Sequence, residues 1–270
     1  MMTLLQRWRQ EALRNRIAVN EKDGSVMVYV PEGEFEMGDG FGENSPPHRV
    51  ELSGYWIAVY AVTNAQYLKF VEETGHRAPN RMDYGRRVWK KGQFAADKAN
   101  HPVVGVSWDD SAAYAAWAGC ELASEAQWEK AARGPLDLIY PWENEWDASK
   151  CRYAGNRGEE ETCPVHGYPQ GVSGYGTYNQ SGNVWEWCAD WYDAKYYRNS
   201  PKRDPRGPGG GLSRAYRGGC WWYLASVKFR AADRYGYLPG YRGHYLGLRL
   251  AKAASSDATI EGASAWPVKK

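Results

Sequence analysis

"RGGCWWYLASVKFRAADRYGYLPGYRGHYLGLRL", residues 217–250, spaces its aromatic residues to neither the 3.6-residue period of a helix nor the two-residue alternation of a strand. Its two ends, 217–222 and 244–252, read as short strands. Between them runs "YGYLPGYRGHYL" (235–246), broken by glycine and proline. Core residues alternate with polar ones, so this run reads as exposed, and an exposed patch this aromatic marks a binding surface. The backbone beneath it needs a frame that does not depend on periodicity. Arg230, Arg234, Arg242 and Arg249 are placed to supply one, through hydrogen bonds to carbonyls and carboxylates.

The whole chain agrees with a loop-rich scaffold. It has 270 residues, enough for one large domain or two small ones, with 14 Trp, 20 Tyr and 30 Gly against only 24% charged residues. A net charge of +2 and the lack of a long basic run argue against nucleic-acid binding. No stretch approaches the roughly eighteen apolar residues of a membrane span. The N-terminus carries Leu4, Leu5, Trp8, Leu13 and Ile17 at helical intervals, broken by arginines that rule out a signal-peptide core. Residues 1–25 are therefore expected to form an amphipathic helix. Cysteines 120, 151, 163, 188 and 220 form no CxxC pair, and their odd count without an export signal favours reduced thiols and a cytoplasmic chain. A Cys151–Cys163 bridge stays open on spacing.

Outward from the opening stretch, "GSVMVYVPEGEFEMGDG" (24–40) alternates and reads as a hairpin. "HRVELSGYWIAVY" (48–60) reads as a strand pair. A helix follows, capped by Thr63 or Asn64, running through Glu73 and closed by Gly75. Residues 76–100 read as a long loop. "HPVVGVSWDDSAAYAAWAG" (101–119) gives a strand, then a helix capped near Asp109, Asp110 or Ser111 and stopped by Gly119. "ASEAQWEKAARG" (123–134) places Ser124 at a helix start and Gly134 at its end. From 135 to 216 no long periodic segment is legible, and such a loop needs a metal ion or aromatic wedges to hold it. Residues 253–270 read as a flexible tail.

Seven ordered blocks resemble the formylglycine-generating-enzyme-like (sulfatase-modifying-factor) family, which has a C-type-lectin-type fold. They are "VPEGEFEMG", "YAVTNAQYLKFV", "HPVVGVSWDDSAAYAAWAG", "ASEAQWEKAARG", "YPWEN", "GTYNQSGNVWEWCADWY" and "RGGCW…GLRLA". The resemblance implies an α+β, irregular, loop-rich domain over 26–252, with small antiparallel sheets and two or three short helices. The family's active members oxidise a client cysteine with copper held by two cysteines, four and nine places after the glycine pair. Here those places hold Tyr223 and Lys228, neither a soft ligand for Cu(I), and Cys220 stands where the family has Ser. No copper is expected. The family's iron branch uses clustered histidines, whereas His48, His76, His101, His166 and His244 are scattered. Several members bind calcium, and the positions carry over as the Asn179 side chain, the Gly182 and Val184 carbonyls and the Glu186 carboxylate. These are hard oxygen donors suited to a structural Ca²⁺ ion.

Within the family the chain looks most like the variable proteins of diversity-generating retroelements, whose C-terminal segment is rewritten at template Asn codons. Tyr223, Leu224, Ser226, Asp233, Tyr235, Tyr237, Leu238, Tyr241, His244 and Tyr245 are reachable from such codons; Trp222 and Lys228 are not. The resemblance implies a non-catalytic protein with a variable segment over 220–250. It would bind a protein or other macromolecule through 222–246, with aromatic anchors of low conformational cost. The alternative is a metal-dependent oxidase or sulfur-transfer enzyme of the same family with altered ligands.

Overall fold

A computed structural model describes residues 17–254. Among the described residues, eleven strands are distributed over three sheets. The five-stranded sheet has the order β1 (Ile17–Val19), β2 (Val26–Val30), β5 (Tyr55–Ala58), β11 (Leu250–Ala253) and β6 (Glu121–Leu122), all antiparallel. A four-stranded sheet runs β10 (Leu246–Leu248), β7 (Trp185–Trp191), β8 (Arg214–Arg217) and β9 (Arg234–Tyr237); its β10–β7 pair is parallel. The remaining strands, β3 (Gly33–Met37) and β4 (His48–Leu52), pair with each other. The expected α+β class with small, mostly antiparallel sheets and few short helices is what the fold shows.

Three α-helices begin on capping boxes, in which a hydroxyl and the third helical residue satisfy each other's backbone N–H. α1 (Asn64–Thr74) starts on Thr63 with Gln66 and closes on left-handed Gly75. α2 (Trp108–Trp117) starts on Ser107 with Asp110, and α3 (Glu125–Arg133) starts on Ser124 with Gln127. The α2 cap therefore lies upstream of the expected acids. Asp109 and Asp110 occupy the first turn, where they suit the helix dipole.

Several expected pairings are corrected. Residues 24–40 form no hairpin: Pro31 separates β2 from β3, which enter different sheets. β4 and β5 are likewise not partners. Residues 101–106 make only an isolated bridge, Thr63 to Pro102. The strand expected over 217–222 ends at Arg217, and the one over 244–252 is two strands on different sheets, split at Arg249. Ile17–Val19, assigned to the amphipathic helix, is β1; the rest of that segment through residue 16 lies outside the described residues, as do 255–270.

Buried ion pairs join helix to sheet. From α3, Glu129 takes Arg217 of β8, and Glu125 takes both Arg217 (3.5 Å) and Arg234 of β9 (2.6 Å). All four side chains are almost fully buried, so each charge depends on its partner. The expected arginine frame is present: Arg230 binds Asp39, Arg234 binds Glu125, Arg242 reaches Asp83, and Arg249 binds Glu186.

Candidate functional site

The glycine pair turns the chain from β8 into the site. Gly218 and Gly219 sit at φ +106° and +71°. A Cβ on Gly219 would lie 2.5 Å from the Lys228 carbonyl and 2.8 Å from the Phe229 ring. Glycine there lets residues 220–229 fold back across β8, ending in a 3₁₀ turn, Ser226–Phe229. Cys220 and Trp221 point inward and are buried, Trp222 and Leu224 are exposed, and Tyr223, Ser226 and Lys228 are half-buried.

On this platform Lys228 Nζ donates to Tyr235 Oη on β9 and lies 4.5 Å from the Tyr235 ring and 5.9 Å from the Tyr223 ring. Trp185 of β7 packs edge-on beneath Tyr216, Tyr223 and Tyr235. Burial pushes the Tyr223 phenol up. Asp233 is 3.6 Å from Arg230, and burial pushes its carboxyl to about 6, against the pull of Lys228 and Arg230. Its Oδ2 is buried without a hydrogen-bond partner.

The other expected face residues divide. Tyr237 and Leu238 are exposed. Tyr241 and Tyr245 are half-buried and share a 2.7 Å hydroxyl contact. His244 is buried, 3% exposed, with Nδ1 3.2 Å from Glu161 Oε2. The structure thus brings Tyr223, Lys228, Asp233 and Tyr235 into one cluster, with Tyr237, Tyr241 and Tyr245 in contact alongside it. His244, with Trp222, forms a second cluster. Sequence reading missed Tyr84, Arg157, Glu161 and Trp221, which belong to that second cluster. The acidic run 159–161 was a signal, but nothing local tied it to His244.

Copper does not fit this arrangement. The two ligand places hold a phenol and an amine, and the nearby thiol, Cys220, is buried with its pKa pushed up to about 12, so it is protonated at neutral pH. Among the described residues, no three His, Cys, Asp or Glu side chains stand together as a metal site. The calcium positions differ. Asn179 holds a left-handed φ of 55°, its amide donates to the Val165 carbonyl at 2.7 Å, and its Oδ1 is buried without a partner. An orphaned hard oxygen there fits a cation. Glu186 Oε2 accepts from Trp128 and Arg249, and Oε1 from Arg249, which leaves lone-pair capacity on Oε1.

The family model for the sulfatase-modifying factor enzyme 1-like domain matches residues 14–254. The chain belongs to this family. It is 36% identical to a formylglycine-generating enzyme of Streptomyces coelicolor, covering 88% of this chain and 91% of that one. PvdO from Pseudomonas aeruginosa superposes with a TM-score of 0.73 at 25% identity, over 89% of this chain and 99% of PvdO. Treponema denticola variable protein 1 superposes with a TM-score of 0.71 at 22% identity, over 88% of this chain and 99% of that protein, a likeness of fold alone. These relatives correct the expectation of a non-catalytic, diversified ligand-binding protein: the substantial sequence identity is to proteins named as enzymes, whereas the variable protein shares only the architecture. Among the described residues no helix is long and apolar enough to cross a membrane.

Proposed function

We propose that this chain is an enzyme of the formylglycine-generating-enzyme family that works on a polypeptide laid across the 222–246 face, using groups other than a copper-binding cysteine pair. The Lys228–Tyr235 contact carries the reading. At a place the family gives to a metal ligand, an amine and a phenol share a hydrogen bond, with Tyr223 and Asp233 beside them. Such a pair presents hydrogen-bond donors to a sulfur or carbonyl oxygen set against it, which positions the reacting side chain. Trp222, Tyr237 and Leu238 supply the exposed apolar area for the polypeptide. The Streptomyces relative is named for generating formylglycine, and the family resemblance, with its oxidation of a client cysteine, directs the substrate class to a cysteine-bearing polypeptide and the reaction class to oxidation or sulfur transfer at that side chain.

The reading is tested by incubating the chain in air with a library of cysteine-bearing peptides, with and without copper or iron salts. Product is followed by mass spectrometry and hydrazide capture of aldehydes. Conversion by the wild type that is lost in Lys228→Met supports it. No mass change in any peptide, or undiminished turnover by the variant, overturns it. Asn179, Gly182, Val184 and Glu186 are proposed to hold a structural calcium ion, supported by the orphaned Asn179 Oδ1.

A further inference from the structure

We infer that the cavity between the β1–β2 turn and the start of α1 is a binding site for one neutral saccharide ring. It shares no residue with the Lys228–Tyr235 face and holds about 340 Å³, at the lower end of the range for small-molecule sites. The turn at Asp23 and Ser25 lines it, together with Tyr60 and Gln66 around the α1 cap, and with Asn100 and His166.

The walls are fixed before a ligand arrives. Gln66 Nε2 donates to Ser25 Oγ at 3.1 Å and to the Asp23 carbonyl at 3.4 Å, and Gln66 Oε1 accepts from the Thr63 N–H at 2.9 Å. These bonds tie the β1–β2 turn to the α1 cap. The Val165 N–H donates to the Asn100 carbonyl at 2.8 Å, and the Asn179 amide holds the Val165 carbonyl at 2.7 Å. Tyr60 is half-buried and leans on the Tyr178 ring at 4.9 Å. Burial pushes its phenol up to about 12, so the hydroxyl stays neutral. A site preorganised in this way loses little affinity to ordering.

The groups left over select the ligand's chemistry. Among the described residues, the side chains of Tyr60, Asn100 and His166 have no hydrogen-bond partner. A phenol, a carboxamide and a neutral imidazole each both donate and accept, and so does a sugar hydroxyl. Charge is missing from the lining. Among the described residues no lysine or arginine lines the cavity, so an anion meets no counter-charge. The Asp23 carboxylate is buried and already accepts from the Ser25 N–H at 2.9 Å, the Ser25 hydroxyl at 2.7 Å and the Tyr114 hydroxyl at 2.7 Å. It is therefore spent as a partner for a cation. The Tyr60 ring, with Val26 and Val165, adds the apolar area on which the C–H face of a pyranose can lie. Uncharged hydroxyls around one apolar face describe a sugar ring.

Saturation-transfer difference NMR on the full chain tests the site with the methyl glycosides of glucose, galactose, mannose and N-acetylglucosamine, and with glucuronate and glycerol as controls. At least one glycoside receives saturation, most strongly at its ring C–H protons, and the two controls receive none. The corresponding free sugar runs alongside: equal affinity points to the end of a glycan, tighter binding of the free form to a monosaccharide. By titration calorimetry, Asn100→Ala and His166→Ala each weaken the bound glycoside by about tenfold. Both side chains are exposed, so the fold survives their loss, which circular dichroism checks. No transfer to any of the four glycosides, equal transfer to glucuronate, or undiminished affinity in either variant overturns the assignment. Lys228→Met leaves the affinity unchanged; loss of sugar binding in that variant moves the site to the 222–246 face and also overturns it.

Discussion

Arg249 grips Glu186 at two points, Nη2 to Oε1 at 2.7 Å and Nε to Oε2 at 2.8 Å, from the single residue that separates β10 from β11. Its remaining donors serve the carbonyls of Ala58, Val59 and Tyr178. Removing this side chain leaves Glu186 as a buried, unpaired charge. Arg249→Ala is expected to lose about 3–5 kcal/mol in urea unfolding. Arg249→Lys recovers little, because an ammonium cannot reproduce the planar fork. A loss under 1 kcal/mol for the alanine variant contradicts this account.

Lys228→Met removes the amine that contacts Tyr235 while keeping the length of the stem. Turnover of a cysteine-bearing peptide is expected to fall by about 10²-fold or more, with the melting temperature little changed because Lys228 is half-buried and outside the buried ion-pair network. Tyr235→Phe, which keeps the ring against Trp185 but loses the hydroxyl, is expected to fall in the same direction. A Phe variant at full activity separates the phenol from the chemistry.

Cys220 is expected to resist alkylation in the native protein. With its pKa pushed to about 12 by burial, only about one molecule in ten thousand carries the thiolate at pH 8. Iodoacetamide followed by peptide mass mapping is expected to label Cys220 only after denaturation. Rapid native labelling shows an accessible thiolate and reopens its use as a ligand.

Asp233 sets a pH dependence of stability. Burial raises its carboxyl from the ordinary 3.8 to about 6 in the folded state. The fold therefore binds the proton more tightly than the unfolded chain. The resulting stability is present below about pH 4 and is lost as pH rises through about 6. The full shift corresponds to at most about 3 kcal/mol. Asp233→Asn is expected to flatten the melting-temperature profile across this window; an unchanged slope assigns the dependence to another group.

Calcium should act through Asn179. If the ion binds, adding it at a hundred times its Kd raises stability by about 2.7 kcal/mol, and EGTA reverses the gain. Asn179→Ala is expected to abolish the shift. Identical melting curves for the wild type with and without calcium remove the ion from the account.

The helices were legible because their signals are local. Thr63 and Ser124 lie beside the first helical residue, and Gly75 and Gly134 beside the last. The α2 cap was misplaced because three plausible caps follow Ser107 within four residues. Strand pairing was not legible: β2 and β3 are neighbours in sequence but belong to different sheets, and β11 finds β5 almost two hundred residues away. The residues at the family's two copper-ligand places, Tyr223 and Lys228, could be counted directly from the glycine pair. The Lys228–Tyr235 contact could not, since it needs the reversal at Gly219 and the pairing of β8 with β9. The meeting of Glu161 with His244 likewise joins residues 83 positions apart that no local pattern ties together.

Because β10 and β11 are consecutive, one short length of backbone belongs to both larger sheets, with Arg249 pinned at the crossing. Tension applied at Ala254 must strip β11 from β5 and β6 before it reaches Arg249, after which the β10–β7 pair loses its anchor. Under force the two sheets should therefore rupture as one mechanical unit, giving a single unfolding peak where two independently stable halves would give two.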